Sequence, residues 1–163
     1  MAETLSVTDM LPNKFEPKRG YRWVLAVEGI DSFLVQTTKR PDATISSTEI
    51  KYINSYRKIS NGKVVWSDIS LDLHDPIAPS GAQQVMEWIR THMESVSGRA
   101  GYADFYKRDI QLKMLDPIGT VVELWDIKGA FITSANFGSL SYASDDIMKI
   151  SLTLAVDNCI LQF

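Results

Sequence analysis

From Ile147 to Asp157 the chain reads IMKISLTLAVD, and large apolar residues recur at every second position. Met148, Ile150, Leu152, Leu154 and Val156 fall on one side, and Lys149, Ser151 and Thr153 on the other. Successive side chains of a strand point to opposite faces, so this pattern specifies a β-strand with one buried and one wetted face. The same period recurs at Arg108–Leu115, with Ile110, Leu112 and Met114 on one side. It recurs again from Val65 to His74, where Val65, Ile69, Leu71 and Leu73 oppose Asp68, Ser70 and Asp72. Tyr21–Glu28 (YRWVLAVE) and Ser32–Thr38 (SFLVQTT), separated by Gly29-Ile30-Asp31, predict a β-hairpin with a three-residue connection. Trp23, Val24, Leu25, Ala26 and Val27 are apolar on both faces, which predicts a central strand covered on both sides.

One segment has helical spacing instead. Ser80 is a candidate N-cap, and Val85, Trp88, Ile89, Met93 and Val96 form one apolar stripe, with Gln83, Glu87, Arg90 and Glu94 away from it, predicting a helix to about Ser95. Asp116-Pro117-Ile118-Gly119 reads as a turn into a strand at Thr120–Ile127, followed by a looser stretch containing Gly129 and Gly138. Ile45–Lys63 has β-type residues without sustained alternation, and Ser60-Asn61-Gly62-Lys63 inside it reads as a turn. The order of strands, one helix and more strands predicts a mainly β protein with one α-helix, in which two packed antiparallel sheets form a sandwich or open barrel.

The chain has 163 residues, 45% of them hydrophobic with four Trp, six Tyr and six Phe, which suits a single domain with one core, residues 1–163. Residues 1–20 read as an N-terminal arm, poorly ordered or contact-forming. A net charge of −3 argues against tight wrapping of nucleic acid, which needs clustered Lys and Arg. The start, MAETLSVTDMLPNKF, shows no basic stretch leading into an apolar one, and no apolar run reaches membrane-spanning length. Together with a single cysteine, Cys159, in an apolar setting, this gives the expectation of a soluble protein made in a reducing cytoplasm, with no membrane partner.

Signs of catalysis are sparse. His74 and His92 have no Cys, His or carboxylate at ligand spacing, and no phosphate loop, G-x-S-x-G elbow or H-E-x-x-H pair occurs. Asp145-Asp146 reads as a hairpin turn and Asp68/Asp72 as a solvated strand face rather than as acid–base pairs. The expectation is no enzyme, no metal and no cofactor. Lys51, Tyr52, Tyr56, Arg57 and Lys58 mix basic and aromatic side chains, the composition of a protein contact and also of a nucleic-acid surface; the negative chain favours the contact. Residues 46–63 are therefore expected to be a contact segment, mobile until a neighbour packs on them.

The stretch VVELWDIKGAFITSANFGSLSYASDDIMKISLTLAVDNC, residues 121–159, resembles the closing segment of the tail tube proteins of contractile-tailed bacteriophages. Ile127-Lys128-Gly129-Ala130-Phe131 matches that family's strand ending in a Lys-Gly-aromatic turn, Gly138–Tyr142 its short strand, Ser144-Asp145-Asp146 its acidic turn, and Ile150, Leu154 and Asp157 its final strand. An early hairpin, a long loop with Arg57-Lys58-Ile59, a strand and a helix carrying Trp88 extend the resemblance over residues 20–159. It implies the fold shared by phage tubes, pyocin tubes and the haemolysin-coregulated protein of type VI secretion. It also implies hexameric rings whose sheets join into a continuous inner β-barrel, with the long loop reaching the next ring. Further implications are a virion tail assembled in the bacterial cytoplasm, partnership with sheath, baseplate and tail terminator, and passage of DNA without specific binding. Asp68 and Asp72 are candidates for the lumen. The alternatives are a same-fold baseplate, terminator or secreted-tube component, and, in another class, a small β-barrel ligand-binding module or enzyme. The apolar end, Cys159-Ile160-Leu161-Gln162-Phe163, departs from the family pattern.

Overall fold

The computed structural model describes residues 14–163; the first thirteen, which hold most of the expected N-terminal arm, lie outside the described residues. The strands are β1 (Trp23–Val27), β2 (Val35–Thr38), β3 (Ala43–Tyr52), β4 (Ser55–Trp66), β5 (Ile69–His74), β6 (Arg108–Leu115), β7 (Val121–Asn136), β8 (Lys149–Ala155) and β9 (Asn158–Leu161). A 3-10 turn (Ser32–Leu34) precedes β2, and two helices, α1 (Gly81–His92) and α2 (Ala103–Tyr106), lie between β5 and β6. Seven strands form one antiparallel sheet in the order β1-β6-β7-β8-β5-β2, with β9 added to β7, while β3 and β4 pair only with each other.

The sixteen-residue β7 organises the fold. Its first half pairs with β6 on one side and β9 on the other, and its second half pairs with β8, so it belongs to two half-sheets: β1-β6-β7-β9 and β7-β8-β5-β2. Gly129 sits at the changeover with φ +66°, and the register against β6 slips between Arg108 and Ile110. The Lys128-Gly129 turn expected from the sequence is thus a kink inside a continuous strand, which a left-handed glycine permits without ending the ladder. Inward residues of both half-sheets, including Leu25, Leu71, Leu73, Ile110, Leu112, Ile127, Ile150, Leu152 and Leu154, make one core with Val85 and Trp88 of α1. The alternation of β5, β6 and β8 therefore translates directly into burial.

Several expectations are corrected. β1 and β2 are not a hairpin: β1 pairs with β6 and β2 with β5. Ile30 and Leu34 are buried, so the short connection carries the chain across the core from one half-sheet to the other. β1 is an edge strand, not a central one, and Val24 on its outer face is exposed. Strand 65–74 is broken at Ser67-Asp68, so that Val65 belongs to β4, which ends at Trp66, and is exposed. α1 opens as expected, with the Ser80 hydroxyl accepting from Gln83 N at 3.4 Å, but stops at His92. Beyond it Met93 turns extended and bridges Ala100, and Gly101 N donates to His92 O at 2.8 Å, which leaves Met93 and Val96 in solvent instead of on the stripe. Gly138–Tyr142 forms no strand and lies in the connection 137–148 between β7 and β8, as does Asp145-Asp146. The apolar C-terminal tail is β9, whose Cys159 is buried in the core; burial pushes its thiol up to about 11.

Candidate assembly surfaces

β3 and β4 form a two-stranded ribbon exposed along its length, with only Trp66 at its base half-buried. At about 3.3 Å per residue the ten-residue β3 makes this arm roughly 30 Å long. The segment expected to be irregular is therefore regular, and its missing alternation has a cause: with neither face covered, no apolar period is required. The expected turn at Ser60–Lys63 is a bulge, where the register jumps from Ile45↔Val64 to Ser47↔Ser60. Gly62 takes φ +73° there, and Asn61 ties the bulge to β3, accepting from the Thr48 hydroxyl at 2.6 Å and donating to Ser46 Oγ at 3.0 Å. The real turn is Ile53-Asn54, with Ile53 at φ +37° and fully exposed at the tip.

Pairing register divides the five candidate contact residues between two faces. Lys51 opposes Tyr56 and Glu49 opposes Lys58, so Lys51, Tyr56 and Lys58 share one face with the Glu49–Lys58 ion pair of 3.5 Å. The Lys58 ammonium lies 5.9 Å from the Tyr56 ring centre. Ile50 opposes Arg57 and Thr48 opposes Ile59, so Tyr52 and Arg57 lie on the other, more apolar face with Ile50 and Ile59. A free two-stranded ribbon is marginal in water, and one that exposes Ile50, Tyr52, Ile53, Tyr56 and Ile59 on and near its tip is built to be covered.

The arm is anchored at a buried carboxylate that the sequence reading missed. Glu123 is 5% exposed on the inward side of β7. Lys18 of the N-terminal segment and Arg40 of the β2–β3 connection (3.4 Å) pair with it, and Trp125 Nε1 donates to it at 2.5 Å. Burial by itself would raise its pKa; the Lys18 and Trp125 hydrogen bonds and the Lys18 and Arg40 charges outweigh burial and hold it below the ordinary value. Trp125 also meets Trp66, the last residue of the ribbon, edge to face at 6.4 Å. Entry and exit of the arm are thus fixed on β7. A glutamate flanked by Val121, Val122, Leu124 and Trp125 was the available signal.

The outer face of the β7-β8-β5-β2 half-sheet is polar and rich in hydroxyls. One cross-strand row is Thr37, Asp72, Ser151 and Asn136, and the next is Ser70, Thr153 and Ser134. Asp72 accepts from Thr37 (2.7 Å) and Ser151 (2.8 Å), and these bonds, helped by the Lys149 charge, keep its pKa low against the opposing effect of burial. Asp68 is exposed in the link before β5 and is outside this array. His74 ends β5 opposite Lys149, and His92 stacks on Tyr106 at 4.4 Å between centroids. Among the described residues no three His, Cys, Asp or Glu side chains gather as a metal site, and no helix is long and apolar enough to cross a membrane.

Among the described residues, four edges of the seven-stranded sheet pair on one side only: β1, β2, β9 and the Phe131–Asn136 part of β7 away from β8. At the outer edge of β2, Gln36 stands in a bulge, and its buried side-chain oxygen has no hydrogen-bond partner among the described residues.

No protein-family model and no curated protein matches the chain. Solved structures do. A chain in the cryo-EM structure of the anti-feeding prophage cap, the tube-terminating cap, superposes with a TM-score of 0.73 at 20% identity over 97% of this chain and 99% of that one. A chain of the sheath-tube complex of an extracellular contractile injection system in its extended state gives 0.70 at 20% identity, covering 98% and 99%. A chain of the virion of a gene transfer agent particle gives 0.54 at 13% identity, covering 89% and 97%. The chain thus has the tail-tube fold of contractile injection systems and phage-like particles, in an open form: the described residues close no barrel of their own.

Proposed function

We propose that this protein is a structural subunit that polymerises as stacked hexameric rings into the inner tube of a contractile tail or injection particle. The open, four-edged sheet carries this reading. Unpaired edges are a liability in a monomer, and joining them between copies removes it. The strands β7, β8, β5 and β2 alternate in direction, so copies set side by side in one orientation meet antiparallel, and β2 of one copy can continue onto the Phe131–Asn136 edge of the next. Closing that half-sheet around a ring builds a continuous inner barrel with its hydroxyl-rich face toward the lumen.

The lumen is then suited to passage rather than adhesion. In the rows that would line it, Asp72 is offset by Lys149 at the margin, so DNA or protein cargo meets no surplus of cations. Asp68 lies off this face and is the weaker lumen candidate. Residues 46–63, with Lys51, Tyr52, Tyr56, Arg57 and Lys58, reach a neighbouring subunit, and the outer surface meets a sheath, with baseplate and terminator at the ends. Assembly takes place in the bacterial cytoplasm. The protein has no catalytic role, metal or cofactor; its work is done by its shape.

Negative-stain imaging of the purified protein tests the reading. Hollow tubes agree with it, single rings make the chain a terminator of the same fold, and dispersed monomers at high concentration refute it.

A further inference from the structure

The seven-stranded sheet starts at β1 and stops at β2, and these two end strands do not pair with each other. A cleft of about 540 Å³ lies along the seam, with Tyr21, Trp23 and Val24 on one side and Val35–Thr38 on the other. Three of the four β2 side chains are accounted for. Val35 packs against the core, the Thr37 hydroxyl donates to Asp72 at 2.7 Å, and the Thr38 hydroxyl donates to Ser70 O at 3.4 Å. Gln36 is the exception: its Oε1 is the one buried side-chain oxygen or nitrogen without a hydrogen-bond partner among the described residues.

An unpaired buried carbonyl is costly, so a donor from outside the subunit is called for. The place of Gln36 in the strand points to that donor. The pairing with β5 steps from Val35↔Leu73 to Thr37↔Asp72, which makes Gln36 the extra residue of a bulge. The extra residue of a bulge drops out of the ladder, so the backbone of β2 loses its regular succession of donors and acceptors here. A glutamine carboxamide carries the same C=O and N–H groups as a peptide unit. At this position it offers to the free edge of β2 a group that the bulged backbone does not.

We infer that the Gln36 carboxamide accepts a hydrogen bond from a backbone N–H of the Phe131–Asn136 edge of a second copy, and so fixes the register in which β2 of one subunit joins β7 of the next. This rests on the ring joint of the tube reading and adds to it the residue that sets its alignment. Two strand edges that offer only repeating backbone groups can slip by two residues, roughly 7 Å, without turning any side chain to the other face. Such a slip would break the continuation of the row Thr37, Asp72, Ser151 and Asn136 from one copy to the next. A single acceptor at one point along β2 distinguishes one register from the rest. The same oxygen leaves the lone subunit incomplete, because it is satisfied only in the joint.

Gln36→Met, an apolar replacement of similar shape, removes the unpaired oxygen from the monomer and the acceptor from the joint, so its two effects have opposite signs. The urea midpoint of the monomeric protein should stay level or rise, while the protein concentration needed for assembly, read by sedimentation, should rise by about tenfold or more because a buried N–H of the neighbour loses its acceptor. A lower midpoint would assign the carboxamide to the subunit's own fold, and unchanged assembly would remove it from the joint; either overturns the inference. Solid-state NMR of assemblies grown from a mixture of ¹³C-labelled and ¹⁵N-labelled wild-type chains reads the contact itself. The expected result is a cross peak between Gln36 Cδ and a backbone nitrogen of residues 131–136. Other β2–β7 cross peaks without this one, as when water satisfies the carboxamide, reject the role of Gln36 and leave the ring joint standing. Assemblies with no β2–β7 cross peak, or no assembly at all, remove the joint and the inference together.

Discussion

Replacing Gly129 with Ala strains the point where β7 passes from one half-sheet to the other, and the cost separates into two parts. The residue sits at φ +66°, where a side chain costs about 1–2 kcal/mol from Cβ crowding alone. In addition, an added Cβ would lie 2.7 Å from the Asp157 Cγ and 3.1 Å from its Cβ, inside contact distance, with the carboxylate oxygen nearer still. Forcing extra atoms into an occupied site costs about 1–3 kcal/mol. Asp157 is half-exposed and can swing away, which favours the low end and also breaks its 2.6 Å bond with Lys107. The expected loss is therefore about 2–4 kcal/mol in the native background, and about 1–2 kcal/mol when Asp157→Ala has already removed the carboxylate. Urea unfolding of the monomeric protein measures both, since any self-association would add to apparent stability. A loss below about 0.5 kcal/mol, smaller than any left-handed alanine should cost, would refute the kink. Equal losses in the two backgrounds would refute the clash with Asp157.

Trp88→Ala empties the centre of the α1 contact, where the indole is 1% exposed and donates to Tyr106 O at 2.8 Å, and should cost about 3–5 kcal/mol by urea unfolding; a loss under about 1 kcal/mol would show that the helix is not part of the core. Asp72, Asp109 and Glu123 all have pKa values held below their ordinary ones in the folded chain, so their contribution to stability is fully present above the ordinary carboxylate range. It is lost as the pH falls through the depressed values. Denaturant midpoints should be flat from neutrality to about pH 5 and fall below about pH 4; a rise on acidification would contradict the assignment. Cys159, buried with its thiol raised to about 11, should react with thiol reagents at pH 8 only as fast as the chain opens, and rapid labelling of the folded protein would place β9 off the sheet.

Strands with one covered face were legible in the sequence because burial imposes a period. β5, β6 and β8, and the inner stripe of α1 at Val85, Trp88 and Ile89, follow from their alternation or helical spacing alone. Where no face is covered, as along β3 and β4, the period vanishes, and the Ser60–Lys63 bulge has the same composition as a turn. Pairing partners were less legible than strands. Gly29-Ile30-Asp31 looks like a hairpin connection, yet burial of Ile30 and Leu34 draws the chain across the core instead. Gly129 looks like a strand end because composition does not distinguish a kink from a stop, and only the neighbours on both sides of β7 show that the ladder continues. The candidate contact residues stood out as a group by their mixture of basic and aromatic types. Their division between two ribbon faces required the register, and the Glu123 anchor required partners from Lys18 to Trp125 that are distant in sequence.

A cryo-EM reconstruction of the assembled protein tests the central claim most directly. The expected result is a hollow tube of stacked hexameric rings, with β2 of each subunit beside Phe131–Asn136 of the next and the row Thr37, Asp72, Ser151 and Asn136 facing the lumen. A tube lined instead by a strongly basic surface, or an assembly in which the β2 and β7 edges remain unpaired, would contradict it.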